Sequence, residues 1–476
     1  MSQHDQPAAR TSKAVLLRHY LGALWRFRRL EGDALQRYQD RLAAAAVRKA
    51  VAGSAYYADR YAGSDLADWR HLPTTDKRTM MTDFTAFNTR RISGDLAMET
   101  ALRAERERDF RPLVPGTDLT VGLSSGTSGH RGLFLVGPNE RAAWAGALLA
   151  RALPGPLLRP GGGWRVALFH RAGSNLYQSL ASRALTFQFV DLMTPLPDAV
   201  VQLNRFLPHL LVGPPTLLAL LAEERRAGRL IAQPGKIISV AEVLEPQDAA
   251  PLAAAFDVSA IHQIYQCTEG LLAVTCPAGR LHLQEDIVAV QTEPLDAADT
   301  TVVTPIVTDL WRQVQPILRY RLNDVLRLSP DTAPRCTCGS AFRVIAQIDG
   351  RQDDVLAFPV AADPGEEMRP FFPDTLRRAV LLADAGILDY RILQEAPGSL
   401  RVHLACASES AYRIAEQTVR ESLSRTVAGY GCRIEGLDIY FGLPPERPGV
   451  KRRRVQCGNP AGNRTFDSRP FAPESV

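Results

Sequence analysis

Apolar positions in the first part of the chain repeat at the spacing of a helix. Between residues 14 and 62, apolar side chains recur every three or four positions, as in residues 20–27 (YLGALWRF) and 35–51 (LQRYQDRLAAAAVRKAV). This periodicity predicts helices. Residues 72–80 (LPTTDKRTM) then predict a turn, an N-cap and the start of another helix. We therefore expect a helical lead-in over residues 1–119.

From about residue 120, short apolar runs alternate with helical segments. The helical segments cover residues 139–153, 214–228 and 246–256, and the runs between them are short enough to be strands. These runs are WRVALF (164–169), LTFQFV (185–190), HLLVG (209–213), KIISV (236–240) and SAIHQIY (259–265). The alternation predicts an α/β fold with layered helices around a mostly parallel or mixed sheet. Residues 281–348 are rich in strand patterns and continue this domain.

A smaller α+β segment follows residue 350. Its strand and helix patterns cover residues 389–396, 399–407, 410–427 and 432–442, and the last twenty residues predict a loose polar tail. At about 150 residues per domain, 476 residues allow roughly three domains or a large domain with a small one. We predict a large N-terminal domain over residues 1–350, with its core at 120–350, a link at 351–354 and a small C-terminal domain at 355–476.

Composition excludes several classes of protein. Apolar residues make up 46% and charged residues 22% of the chain, which is typical of globular proteins and excludes collagen-like and disordered chains. A net charge of +5 is too small to indicate nucleic-acid binding. The chain has no run of 18 apolar residues, its first residues do not resemble a secretory signal, and seven cysteines do not suggest a disulfide framework. These features predict a cytoplasmic protein without a membrane span.

A glycine-rich loop is the strongest local signal. Residues 124–132 (SSGTSGHRG) contain three glycines and four hydroxyl residues and precede a strand-like run, LFLVG. Small residues allow backbone N–H groups to approach a polyphosphate, and hydroxyl groups add donors. The loop lacks the Gly-Lys-Ser/Thr ending of the common P-loop. A flexible surface turn is the alternative.

The loop resembles the phosphate loop of the adenylate-forming (ANL) superfamily, with His130 where a lysine is common, and further matches follow in order. Residues 124–129 (SSGTSG), 212–218 (VGPPTLL), 266–270 (QCTEG) and 279–286 (GRLHLQED) most resemble the branch of phenylacetate–CoA ligases and of synthetases that adenylylate a deazaflavin coenzyme. Residues 239–242 (SVAE) resemble the family's adenine-side Gly-Ala-Glu loop, and residues 265–269 (YQCTE) resemble its Tyr-Gly-x-Thr-Glu loop. Residues 319–325 (RYRLNDV) resemble its Tyr-Arg-Thr-Gly-Asp-Leu motif. Residues 350–354 (GRQDD) resemble its Gly-Arg-x-Asp-Asp hinge, and residues 448–453 (PGVKRR) resemble its C-terminal Gly-Lys-x-Arg segment.

The resemblance implies an enzyme that activates an aryl or small acyl carboxylate with ATP and Mg²⁺, releases pyrophosphate and then transfers the acyl group to CoA or another nucleophile. Thr268 and Glu269 would act on the phosphates, with Glu269 as Mg²⁺ ligand, and Lys451 would stabilise the transition state. Asp353 would be the hinge. The implied ATP-binding residues are Ser124, Ser125, Gly126, Thr127, Ser128, Gly129, Glu242, Tyr265, Asp324 and Arg351, and the implied substrate pocket contains His170, Ser174, Asn175 and Tyr177.

Each residue also has a plainer interpretation. Glu269 is otherwise a surface acid, Asp324 a turn residue and Arg351 an exposed charge, while Lys451 opens a basic run, KRRR, that can simply face solvent. Two other functions stay open: a nucleotidyltransferase that adenylylates a coenzyme, and a nucleotide-binding relative without catalysis. The resemblance is also compatible with a homodimer.

Two chelating pairs predict a metal site. Cys276 and His282 are separated by five residues, and Cys336 and Cys338 by one, in loop-like surroundings. Together they would complete a closed, tetrahedral and therefore structural Zn²⁺ site. The alternative is four unrelated residues.

Overall fold

The computed structural model describes residues 13–107, 109–124, 132–159, 162–170, 184–295, 299–330, 335–361, 368–371, 373–445 and 453–458. The chain divides into two units. The first contains Met1–Glu293, Pro305–Leu322 and Leu328–Ala346, and the second contains Pro294–Thr304, Asn323–Arg327 and Gln347–Val476. No helix in the described ranges is both long enough and apolar enough to cross a membrane.

The first unit begins with the predicted helical lead-in. Its helices are α1 (Lys13–Arg29), α2 (Gly32–Gly53), α3 (Ala55–Arg60), α4 (Lys77–Thr82), α5 (Phe84–Phe87) and α6 (Gly94–Glu107), with a 3₁₀ turn at Trp69–His71. Asp76 caps α4, because its side chain accepts a hydrogen bond from the Thr79 amide at 2.7 Å. The N-cap predicted within residues 72–80 is thus confirmed.

Helix α1 packs on α7 (Pro138–Ala152) at Gly146, and the carboxylate of Asp286 forms ion pairs with an arginine of each helix. A Cβ atom on Gly146 would lie 2.3 Å from the Leu16 carbonyl oxygen, so only glycine allows the two backbones to approach this closely. The fully buried Asp286 carboxylate accepts from Arg26 at 2.9 Å and from Arg151 at 3.1 Å. These ion pairs tie both helices to the end of the strand region.

A mixed sheet forms the centre of the first unit. The strands that lie wholly in the first unit are β1 (Thr120–Leu123), β2 (Leu133–Val136), β3 (Trp164–His170), β4 (Leu185–Asp191), β5 (Leu210–Gly213), β6 (Lys236–Ser239), β7 (Ile261–Cys267), β8 (Gly270–Thr275), β9 (Leu281–Leu283) and β12 (Tyr320–Arg321). Four more strands contain residues assigned to both units: β10 (Val288–Pro294), β11 (Val302–Asp309), β13 (Asp324–Leu328) and β14 (Val344–Arg351). In the order β4-β3-β5-β6-β7 neighbouring strands are parallel, and β8, β9 and β14 continue the sheet in antiparallel pairing.

Helices α8 (Leu196–Phe206), α9 (Pro215–Arg226) and α10 (Pro246–Phe256) connect the parallel strands. Their apolar faces pack with the strands into one buried cluster that includes Phe169, Leu211 and Ile237. The predicted alternation of strands and helices is therefore confirmed. Short connections and parallel pairing place the carboxyl ends of β5, β6 and β7 at one edge of the sheet, which is where α/β folds bind ligands.

The second unit is a small α+β structure. A four-stranded sheet has the order β19-β18-β17-β20, and a two-stranded pair joins β15 and β16. Its elements are a 3₁₀ turn (Gln352–Asp354), β15 (Leu356–Pro359), β16 (Met368–Phe371), α11 (Pro373–Leu381), β17 (Ile387–Ala396), β18 (Ser399–Cys406), α12 (Glu409–Gly429), β19 (Gly436–Phe441) and β20 (Val455–Cys457). Strand and helix side chains share a buried core that includes Tyr390, Val402 and Leu423. The predicted fold class, a large α/β domain with a small α+β domain, is confirmed.

Candidate active site

The base of the glycine-rich loop is a closed β-hairpin. Strands β1 and β2 pair antiparallel up to Leu123 and Leu133. Beyond them, the Ser124 amide donates to the Gly132 carbonyl at 2.8 Å, and the Gly132 amide donates to Ser124 Oγ at 2.7 Å. Ser124 therefore closes the loop with both its backbone and its side chain. The other predicted phosphate-binding residues, Ser125, Gly126, Thr127, Ser128 and Gly129, lie outside the described residues.

A lysine from a distant part of the sequence reaches this base. Lys77, the first residue of α4, donates from Nζ to Ser124 Oγ at 3.2 Å. One feature of the sequence could have drawn attention to Lys77: lysine is rare in this chain, with five lysines among 56 basic residues. Nothing in its local pattern connected it with a loop 47 residues later.

Thr268 and Glu269 form the two-residue turn between β7 and β8, in which Cys267 pairs with Gly270. The Glu269 side chain is 8% exposed, and Thr268 Oγ1 donates to its Oε2 at 2.8 Å. Glu269 is therefore buried, and its interpretation as a surface acid is wrong. The Thr268 hydroxyl supplies the polar partner that a buried carboxylate needs. Tyr265, also predicted, lies opposite Ala273 in the same hairpin.

Two residues that the sequence analysis missed join this hairpin to the loop base. Arg312 is 9% exposed and donates to the Thr268 carbonyl at 2.6 Å and to the Leu135 carbonyl at 3.2 Å. Gln315 holds the same strand β2, accepting from the Leu135 amide at 2.7 Å and donating to the Leu133 carbonyl at 3.2 Å. A guanidinium has several donors in a fixed plane, so it can fix two segments at once.

Beside Arg312 lies the buried carboxylate of Asp309. Its oxygen Oδ1 accepts from the amides of Trp311 at 2.8 Å and Arg312 at 3.0 Å. Burial raises the pKa of Asp309 to about 6, and the positive charge of Arg312 partly opposes this rise. Arg312, which contacts the Thr268 carbonyl, is thus held at its own amide by a buried titratable carboxylate.

Tyr320 connects the turn before Lys77 with Glu269. Its ring is 1% exposed, and burial, followed by the negative charge of Glu269, raises the pKa of its hydroxyl, with Asp76 adding a smaller effect in the same direction. The backbone of Thr75 donates to the Arg319 carbonyl at 3.0 Å, which fixes the α4 turn to the strand that carries Tyr320. Glu269 and the start of α4 are thus neighbours of one buried tyrosine.

Glu242 lies at the same edge of the parallel sheet. It follows β6, and its Oε2 accepts from Thr216 Oγ1 at 2.6 Å and from the Thr216 amide at 3.3 Å, just after β5. The preceding Ala241 has φ of 70°, in the left-handed region. The structure therefore brings Glu242 and the Thr268–Glu269 turn to the carboxyl ends of adjacent strands, β6 and β7.

Four predicted residues belong to the second unit: Asp324, Arg351, Asp353 and Lys451. Asp324 and Arg351 contact each other, with 3.6 Å between Oδ1 and Nε. Asp353 lies in the 3₁₀ turn, and its side chain is outside the described residues, as are Lys451 and the pocket residues Ser174, Asn175 and Tyr177. His170 ends β3, but its side chain is also outside the described part.

The segment that follows Lys451 is firmly attached within the second unit. Arg453 Nη1 donates to Asp354 Oδ1 at 2.6 Å, and the Asp354 side chain is 6% exposed. The Arg454 carbonyl accepts from the Ile392 amide at 2.7 Å as β20 joins β17. A partly buried ion pair therefore links Arg453 of the basic run to the predicted hinge turn.

The four predicted metal ligands meet in the first unit. Their ligand atoms (in Cys276, His282, Cys336 and Cys338) all lie within 4.8 Å of one another. Cys338 Sγ lies 3.6 Å from His282 Nε2, and the sulfurs of Cys276 and Cys336 are 4.0 Å apart. His282 Nδ1 contacts the Phe342 carbonyl at 2.8 Å, which directs Nε2 towards the sulfurs.

Two turns of the same form present the first and third cysteines. The Cys276 amide donates to the Arg280 carbonyl, and the Gly279 amide to the Cys276 carbonyl; the Cys336 amide likewise donates to the Ser340 carbonyl, and the Gly339 amide to the Cys336 carbonyl. Gly279 and Gly339 have φ of 77° and 88°, values that favour glycine. The β9–β14 pairing, which places Val344 opposite His282, brings the two turns together.

Comparisons with known proteins show the fold. No protein-family profile and no curated protein matches the chain. Its structure is similar to that of 2-hydroxyisobutyryl-CoA ligase in the postadenylation state in complex with R3-HIB-AMP, with a TM-score of 0.66, 19% identity and 92% of each chain covered. An open conformation of that ligase in complex with 2-HIB-AMP and CoA gives a TM-score of 0.57 at 18% identity, over 89% of this chain and 90% of that one. Its thioesterification state gives 0.54 at 19% identity, over 91% of each chain.

Proposed function

We propose that the chain is an ATP-dependent adenylate-forming ligase, which activates a carboxylic acid as acyl-AMP, releases pyrophosphate and then transfers the acyl group to CoA or another nucleophile. The observation that carries the proposal is the Arg312 side chain, which holds the Thr268–Glu269 turn to strand β2, the strand that follows the glycine-rich loop. The ordered motifs and the fold shared with an acyl-CoA ligase support the same reaction.

The chemistry explains these residue types. A carboxylate oxygen of the acid attacks the α-phosphorus of ATP, the bond from that phosphorus to the oxygen bridging the β-phosphate breaks, and pyrophosphate leaves. Two anions must be held in line, so the site needs hydrogen-bond donors and positive charge around the phosphates. The loop from Ser124 to Gly129 would supply the donors. Glu269, a buried oxygen ligand, would hold Mg²⁺, which neutralises phosphate charge when bound.

The remaining assignments follow the resemblance. Glu242 and Tyr265 would line the adenine side, at the edge where β6 and β7 end. Asp324 would accept from the ribose hydroxyls, and Arg351, whose Nε lies 3.6 Å from Asp324 Oδ1, would place a positive charge beside it. Lys451 would follow the α-phosphate and the acyl oxygen through the transition state, with Asp353 as hinge.

The substrate is proposed as an aryl or small acyl carboxylate. His170, Ser174, Asn175 and Tyr177 are assigned to its pocket from the resemblance alone. A mostly apolar pocket with a few polar groups suits such an acid. The chain departs from the family after Asp353, where residues 355–372 replace the usual glycine-containing loop, and this departure concerns the transfer step more than the activation step.

Pyrophosphate release tests the proposal. Purified protein is incubated with ATP, Mg²⁺ and a panel of aryl and small acyl carboxylates, each with and without CoA. We expect release that requires one class of acid and rises when CoA is added. Glu269→Gln should lower the rate at least 100-fold, because it removes the charge of the proposed Mg²⁺ ligand. Glu223→Gln on α9, which changes an exposed acid paired with Arg226, is the matched control and should leave the rate unchanged.

The other functions predict different results. Release that ignores every carboxylate but requires a hydroxylated or phosphorylated coenzyme identifies a nucleotidyltransferase. If calorimetry shows no binding of ATP or AMP, the chain is a relative without catalysis. Either result rejects the ligase proposal.

We also propose that Cys276, His282, Cys336 and Cys338 bind a structural Zn²⁺. With Zn–S of about 2.3 Å and Zn–N of about 2.0 Å, a tetrahedral ion separates two sulfurs by about 3.8 Å and a sulfur from a nitrogen by about 3.5 Å. The observed separations of 4.0 Å and 3.6 Å fit this geometry. Four protein ligands leave no open position, so the ion would join two turns rather than act on substrate.

Metal analysis of the purified protein tests this site. We expect one equivalent of zinc, lost in Cys336→Ser together with a lower melting temperature. Cys406→Ser, a cysteine of the second unit, is the control and should keep the metal. Wild-type protein that contains no zinc after expression with added Zn²⁺, and whose melting temperature does not change with a chelator, would refute the assignment.

A further inference from the structure

The side chain of Lys77 occupies a constrained position at the base of the glycine-rich loop. Its ammonium donates to Ser124 Oγ at 3.2 Å, and the same oxygen accepts from the Gly132 amide at 2.7 Å. A serine hydroxyl accepts two hydrogen bonds, so Ser124 connects the ammonium directly to the backbone that closes the loop.

Gly132 makes this position accessible. A Cβ atom on Gly132 would lie 3.0 Å from Lys77 Cε and 3.7 Å from Lys77 Cδ. The aliphatic part of the Lys77 side chain therefore packs against Gly132 so closely that a side chain at position 132 would have little room. This contact is independent of the hydrogen bond and fixes the direction from which the ammonium approaches the loop.

The buried Tyr320 is common to the Lys77 turn and the proposed Mg²⁺ ligand. Glu269 and, with a smaller effect, Asp76, the N-cap of α4, both raise the pKa of the Tyr320 hydroxyl. Thr75 is paired through its backbone with the strand that carries Tyr320. One short network within the first unit thus contains the loop base, a lysine and a buried acid, which is the combination that a metal-bound polyphosphate requires.

We propose that Lys77 binds the β- or γ-phosphate of ATP at the base of the glycine-rich loop. The inference rests on the proposed function and adds a phosphate-binding residue that no motif of the chain contains. A compact ammonium on a flexible stem suits a phosphate oxygen, because it binds as a point charge. Because its contact is with the phosphates beyond the α-position, Lys77 discriminates between ATP and AMP.

Calorimetry with two nucleotides tests this assignment. Binding of ATP (with Mg²⁺) and of AMP is measured for wild type, Lys77→Met and Lys77→Arg, with Lys49→Met on the exposed side of α2 as the control. We expect Lys77→Met to weaken ATP binding about 10- to 100-fold, as loss of a charge-assisted contact does, and to change AMP binding less than twofold. Lys77→Arg should retain most ATP affinity. Gly132→Ala, which keeps the charge but crowds the stem, should reproduce the ATP-selective loss.

The outcomes separate this inference from the proposed function. Wild-type protein that binds neither nucleotide rejects the proposed function itself. If wild type binds both and Lys77→Met weakens ATP and AMP equally, or neither, Lys77 is only a brace for Ser124 and the inference is wrong. Should Lys77→Met fail to fold, the ratio of ATP to AMP affinity in Lys77→Gln and Lys77→Arg decides by the same criterion.

Discussion

Replacing Arg312 by methionine tests whether Arg312 stabilises the proposed active site through its charge, which acts on Asp309, or only through its hydrogen bonds. The substitution keeps a long apolar side chain but removes the donors to the carbonyls of Thr268 and Leu135 and the positive charge near Asp309. Breaking a buried charge arrangement by removing one partner costs about 3–5 kcal/mol. We expect this cost at pH 8, where Asp309 is ionised.

The pH dependence follows from the Asp309 pKa. Raising that pKa from 3.8 to about 6 means that the folded state holds the proton more tightly than the unfolded chain does. The contribution of Asp309 to stability is therefore greatest below pH 4, and about 3 kcal/mol of it is lost as the pH rises through 6. Removing Arg312 raises the pKa further, so the penalty of Arg312→Met should shrink to about 1–3 kcal/mol at pH 5, where Asp309 is already protonated and only hydrogen bonds are lost.

Urea unfolding followed by tryptophan fluorescence measures this difference. All five tryptophans, Trp25, Trp69, Trp144, Trp164 and Trp311, belong to the first unit, so the signal reports on the unit that contains the pair.

A double-mutant cycle with Asp309→Asn completes the design. Asp309→Asn alone should reduce the fall in stability between pH 4 and pH 6, and it should make Arg312→Met equally costly at both pH values. A penalty for Arg312→Met that is the same at pH 5 and pH 8 in the presence of Asp309 would refute the electrostatic account.

Three further substitutions probe other contacts. Asp286→Asn should destabilise the first unit by about 3–5 kcal/mol in the same fluorescence assay, because it removes the charge that two buried arginines share; a loss below 1 kcal/mol would show that the cluster is not needed. Gly146→Leu should lower the melting temperature and detach α1, measured as faster hydrogen exchange in that helix, since a Cβ there meets backbone at 2.3 Å; unchanged exchange would contradict this packing. Arg453→Met should lower the rate of pyrophosphate release without changing ATP affinity, because Asp354 no longer fixes the segment after Lys451; equal losses in both would indicate a general structural defect.

Much of the fold could be predicted because the chain is locally consistent. Helical periodicity marked the lead-in and the connecting helices, and short apolar runs marked β3 to β7, since buried parallel strands are nearly continuous in apolar residues. The metal ligands were also accessible, because chelating pairs are close in sequence. Their meeting depends on the pairing of β9 with β14, some 60 residues apart, which no local pattern encodes.

The residues that were missed act across long sequence separations. Lys77 contacts Ser124 from 47 positions away, and Arg312 reaches Leu135 across 177. Neither belongs to a motif, and each looks like an ordinary surface cation until the backbone is folded. For Glu269 the sequence motif suggested a role but not the environment. Only the structure shows that its carboxylate is buried at a hairpin turn.

Exchange of labelled pyrophosphate into ATP tests the central claim most directly, because it reports the reversible formation of an acyl-adenylate before any acceptor is involved. We predict exchange that depends on a carboxylic acid, that is abolished in Glu269→Gln and that persists in Glu223→Gln. Exchange that proceeds without any acid, or that is unaffected by Glu269→Gln, would contradict the account.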